Sequence, residues 1–94
     1  MTTHREMIKK FGFWHQSLIL IEEMSELTKE LIKSKRRNEI EQRIASEELI
    51  EELVDVEIVL EQLKETIIER EDRKKIYLKY REMKLNRIKK LLEE

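Results

Sequence analysis

The stretch EELVDVEIVLEQL, residues 51–63, decides the fold. Its apolar residues Leu53, Val56, Leu60 and Leu63 recur at steps of three and four, which lays them along one side of a helix. Two acids interrupt that simple reading. Glu52 and Asp55 sit beside the seam, and Asp55 stands between Val54 and Val56. Aspartate is a poor residue inside a helix, because its short side chain competes for backbone hydrogen bonds. The chain contains only one other, Asp72. A helix that keeps an acid against its apolar seam needs a reason for it.

The rest of the chain is built for helices. Its 94 residues include no Pro and one Gly, with 44% charged and 39% hydrophobic side chains. Glu, Lys, Leu, Ile and Arg dominate, and the apolar residues are periodic rather than sparse, which separates the chain from disordered sequences. The expectation is an all-α fold in a single domain over residues 1–94. The absence of cysteine rules out disulfides and thiolate metal sites and fits a reducing cytoplasm. The opening MTTHREMIKKFGFW has no long apolar core, and no segment is apolar enough to span a bilayer. A cytoplasmic, membrane-free protein is therefore expected.

Charge is strongly segregated. Residues 1–38 carry eight basic and five acidic side chains, residues 39–72 three basic and thirteen acidic, and residues 73–94 nine basic and three acidic. The net values are +3, −10 and +6, within a total of −1. An acidic middle between basic ends suggests helices that neutralise one another, or a site that needs both signs.

A first long helix is expected from about Phe13–His15 through Lys33, with Gly12 as the break before it and a short helix over residues 3–10. Its apolar residues fall in two stripes, one of Leu20, Met24, Leu27 and Leu31, the other of Leu18, Ile21 and Ile32. Residues 34–46 are polar and weakly periodic and read as a connection with one helical turn. Ser46 followed by Glu47 and Glu48 is a helix start, a hydroxyl cap and then acids at the positive end of the dipole. The second helix should span about 47–70 and the third about 73–92, separated by the charged break EREDRKK. Three such helices bury their broad apolar faces poorly alone. The expected architecture is an antiparallel helical bundle of three long helices, completed by dimerisation into a four-helix-type core.

The first long helix carries its own acids inside LILIEEMSEL, residues 18–27. Glu23 and Glu26 are three apart, as are Glu52 and Asp55, so each pair projects from one side of its helix with Cβ atoms about 5–6 Å apart. Antiparallel packing lets the four carboxylates converge. Like charges so close repel, and burial raises the cost. A hard cation relieves this, and Mg²⁺ (or Mn²⁺ in its place) takes oxygen ligands and keeps waters that a phosphate can replace. Glutamate is so common here that E-x-x-E alone arises by chance. The interior position of Asp55 and the apolar runs around both pairs mark these acids out from a solvated face.

FGFWHQSLILIEEMSEL followed by EELIEELVDVEIVLEQL resembles the MazG-like all-α nucleoside triphosphate pyrophosphohydrolases. Their E-x-x-E, spacer, E-x-x-D signature maps onto Glu23, Glu26, Glu52 and Asp55, with 25 residues between Glu26 and Glu52. The closing KLNRIKKLL resembles the basic tail helix of small phage and bacterial members, and the likeness spans most of residues 11–92. Val54 departs from the pattern, standing where many relatives have a small residue. The resemblance implies that the four carboxylates hold Mg²⁺ against a triphosphate, and that water attacks the α-phosphorus to give a nucleoside monophosphate and pyrophosphate. It also implies that His15 and Gln16 border the nucleotide pocket, while Trp14 beside them reads as a platform for a base or as core or interface packing.

Lys84 and Arg87, one turn apart on the third helix, are candidates for phosphate contact, or a basic counterweight to the acidic second helix. A homodimer or homotetramer is the expected assembly. The competing expectation is a non-catalytic helical interaction module, using the seam Leu49, Leu53, Val56, Leu60 and Leu63. Nucleic-acid binding through residues 73–90 is disfavoured by the missing aromatic interleaving and the neighbouring acidic helix.

Overall fold

A computed structural model describes residues 2–94 as four helices, with no strand among them: α1 (Thr2–Phe11), α2 (Phe13–Arg37), α3 (Glu47–Ile67) and α4 (Glu71–Glu93). The all-α expectation holds. No helix is long and apolar enough to cross a membrane among the described residues.

Gly12 separates α1 from α2 because its φ of 93° lies where side chains with a Cβ rarely go. Nothing lies within 4 Å of a Cβ built there, so conformation rather than space selects glycine. The helix α2 runs four residues past the expected end at Lys33. Residues 34–37 contain no helix breaker, and Lys35, Arg36 and Arg37 suit the negative end of the dipole. It stops at Asn38, in the left-handed region at φ 58°. There the Asn38 N–H reaches the Lys35 carbonyl at 3.2 Å and the Glu39 N–H the Ser34 carbonyl at 3.1 Å. At the start of α3 the Ser46 hydroxyl accepts from the Leu49 N–H at 3.2 Å, with Glu47 and Glu48 in the first turn, as the sequence predicts. The helix ends at Ile67, three residues early, and α4 begins at Glu71.

The helices α2 and α3 form an antiparallel hairpin. Gln16 near the start of α2 bonds Gln62 near the end of α3, whereas Leu27 and Leu31 lie with Leu49 and Leu53 at the other end. Leu20, Val59 and Leu63 are the buried centre, packed by Ile8 of α1 and by Phe13, Ile19 and Val56. The Gln16 Nε2 donates to Gln62 Oε1 at 2.8 Å inside this layer, and both side chains are buried. A buried amide that finds a hydrogen-bond partner can be enclosed in a small core at little net cost.

The third long helix exists but leaves the hairpin. Among the described residues α4 has no buried side chain and packs along no other helix. Its tie to the hairpin is local: the Lys64 ammonium lies 4.9 Å from the centre of the Tyr77 ring. Only Ile68–Arg70 connect the two helices, and the chain spreads over 43 × 39 × 19 Å. Within one chain, then, the hairpin and α1 form the packed unit.

The buried amide pair makes a direct test. Gln62→Leu strands the amide of Gln16 and is expected to cost about 1–3 kcal/mol in urea unfolding followed by circular dichroism. The double change Gln16→Leu/Gln62→Leu should recover most of that loss.

Candidate metal centre

The antiparallel register places Glu23 of α2 opposite Glu52 and Asp55 of α3. One carboxylate oxygen from each lies within 4.8 Å of the others, and all three side chains are half-buried. The local sequence explains why they face inward. Glu52 and Asp55 are three apart and lie on the side of α3 that also carries Val56, Val59 and Leu63 toward α2. Glu23 is one turn beyond buried Leu20.

Three acids in so small a space are electrostatically unsettled. The Glu23 carboxyl is held above its ordinary 4.5, first by partial desolvation, then by the charge of Asp55 and by pairing with and repulsion from Glu52. The Oε2 atom of Glu52 is sealed from solvent and has no hydrogen-bond partner among the described residues. Either a proton shared with Glu23 or a cation would satisfy it. All the donor atoms are carboxylate oxygens, the set that suits a hard divalent ion such as Mg²⁺.

Glu26, the fourth acid of the sequence pattern, is not gathered with the others. It is exposed, and its carboxylate lies 3.5 Å from the Lys29 ammonium. Three residues further along α2, it is rotated about 60° from Glu23 and displaced by most of a turn. The expected cage of four is a group of three in this chain.

The residues expected around a nucleotide are distributed differently. Gln16 is committed to Gln62, while its Oε1 lies 2.9 Å from His15 Nδ1. His15 is exposed, stacks on Phe11 with ring centres 5.5 Å apart, and stands on the rim of an apolar hollow between the helices. This layer lies seven residues from the carboxylates on both helices, about 10 Å along the axis. Trp14 is 78% exposed and meets Phe13 edge-on at 5.0 Å. Lys84 and Arg87 lie on α4, Lys84 beside Tyr77, Tyr80 and Leu85, and Arg87 beside Met83, Asn86 and Lys90. Because α4 leaves the hairpin, one chain does not bring either to the acids. Gln62 is the structural partner that sequence reading passed over. Its signal was a lone amide inside the apolar run VLEQL.

Neither a protein-family model, nor a curated protein, nor a solved structure matches this chain.

The acidic cluster has a pH signature. A carboxyl whose folded value is raised keeps its proton to higher pH than in the unfolded chain. Its ionisation therefore costs no stability below the ordinary 4.5, and the full cost appears above the raised folded value. In metal-free buffer the melting temperature should fall as pH rises through that window. Glu23→Gln should be more stable than the parent at neutral pH and should flatten this part of the profile, which calorimetry across the window checks.

Proposed function

We propose that this chain is a metal-dependent nucleoside triphosphate pyrophosphohydrolase, converting a ribo- or deoxyribonucleoside triphosphate and water to the monophosphate and pyrophosphate. The observation that carries the reading is the meeting of Glu23, Glu52 and Asp55 across the α2–α3 seam, with a sealed Glu52 oxygen that has no hydrogen-bond partner among the described residues. The order of these acids in the E-x-x-E and E-x-x-D pattern supports it. Mg²⁺, when bound, would neutralise phosphate charge, polarise the phosphoanhydride and lower the pKa of a bound water.

The chain's own part is to hold the acids in place. Glu23, Glu52 and Asp55 would supply the ligand oxygens, and the packed layer of Leu20, Val56 and Val59 fixes the spacing of the helices that carry them. Glu26, one turn away and solvent-facing, is free to exchange its Lys29 contact for a metal-bound water. One of these carboxylates, directly or through a metal-bound water, would receive the proton of the attacking water. His15 and Trp14, exposed at the start of α2, are available to a base or sugar. Gln16 would act through His15, whose ring it contacts.

The second reading, a non-catalytic helical interaction module, is favoured by the many large apolar side chains exposed on α2, α3 and α4. The same feature supports assembly with further copies, so it serves both readings.

The deciding measurement is pyrophosphate release from a panel of ribo- and deoxyribonucleoside triphosphates with Mg²⁺ or Mn²⁺, with the monophosphate identified. Glu52→Gln and Asp55→Asn should each lower kcat/KM by at least about 100-fold, equivalent to roughly 2.7 kcal/mol of transition-state stabilisation. Hydrolysis that survives both changes would sink the assigned site.

Binding of the metal can be read without turnover. Mg²⁺ should raise the melting temperature of the parent chain, because an ion that binds only the folded state stabilises it. It should not do so for Asp55→Asn. An interaction module shows no such linkage.

A further inference from the structure

The helix α4 leaves large apolar side chains uncovered. Tyr80, Leu85 and Ile88 are 52%, 45% and 53% exposed. With Tyr77, they line one side of the helix, and Arg81 and Lys84 are interleaved among them. The other side, with Lys75, Lys79, Glu82, Asn86 and Lys89, is polar.

The outer side of α3, turned away from the core, is the converse. Val54 and Leu60 are about half-exposed there, with Glu57 and Glu61 beside them, and Ile50 and Leu53 continue the row at the edge of the hollow they share with Leu27 and Leu31 of α2. Over its whole length α3 carries eight acids against Lys64 alone, a net of −7. By contrast, α4 carries nine basic and four acidic side chains, a net of +5. The two helices match in length at 21 and 23 residues.

One is an apolar row studded with carboxylates, the other an apolar row studded with ammonium and guanidinium groups. Within a chain they do not meet along their lengths. Beyond the three-residue link, the contact of Lys64 with Tyr77 is a local tie, and α4 does not pack along its own α3. We propose that α4 lies along the outer face of α3 in a second copy of the chain, and that the second copy returns the contact. Reciprocal exchange closes as a two-fold dimer and covers both rows with no third partner. This deepens the assembly reading given above and is independent of the catalytic one.

Opposite charges facing across a partly apolar interface fix orientation and exclude wrong pairings. Arg81 and Lys84 then offset the acids of the partner's α3, which takes Lys84 away from phosphate contact.

Charge exchange tests the pairing. Light scattering on the parent chain should give twice the 11.6 kDa chain mass. Glu57→Lys/Glu61→Lys and Arg81→Glu/Lys84→Glu should each be monomeric alone, since like charges then face each other in both contacts. Mixed in equal amounts they should restore the dimer, because every contact in the heterodimer joins opposite charges. Circular dichroism on each variant checks that helix is retained. If either double variant loses helix, Glu57→Lys and Lys84→Glu alone are read in the same way.

A monomeric parent overturns both the assembly reading and the exchange. A dimer indifferent to all four charges, or folded variants that stay monomeric when mixed, overturns the exchange alone.

Discussion

The buried bond from Gln16 to Gln62 sets the register of α2 against α3, and the rest of the molecule depends on that register. A slip of one helical turn would leave two amides unpaired in a core of very few buried apolar side chains. With the bond made, Leu20 meets Val59 and Leu63, and Glu23 arrives opposite Glu52 and Asp55 seven residues further along. The polar pair holds alignment that so small an apolar core specifies weakly on its own. Its enclosure is affordable because each amide is the other's partner.

The same register creates a conflict. Apolar packing draws two helices together, and the acids at the next layer oppose that approach. The raised proton affinity of Glu23 and the Glu52 oxygen without a hydrogen-bond partner among the described residues are two signs of this opposition. A structure that served only stability would place apolar residues there, as it does one turn away at Leu20 and Val59. Retaining three acids fits a role in which a cation completes the site. The catalytic proposal rests on this tension.

Much of the architecture was legible along the chain. The step of three and four in Leu53, Val56, Leu60 and Leu63 identified α3, Ser46 with Glu47 and Glu48 marked its start, and Gly12 marked the break before α2. The end of α2 was harder to place. SKRR has no apolar period, and only the left-handed turn at Asn38 stops the helix. The i, i+3 spacing showed that Glu52 and Asp55 share a side. It could not show that Glu26 would turn to solvent and Lys29, because that depends on which side of α2 its neighbour occupies.

By itself, then, the sequence determined the helices, their approximate limits, the segregation of charge and the two acidic pairs. These follow from local periodicity, capping and composition, which act within a few residues. Only the tertiary structure decided that three acids rather than four converge, that Gln16 is bound to Gln62 and not open to a ligand, and that α4 leaves the hairpin with its apolar side uncovered. Each of these depends on helix rotation and on the direction of a three-residue link, quantities set by packing between distant segments that no local pattern encodes.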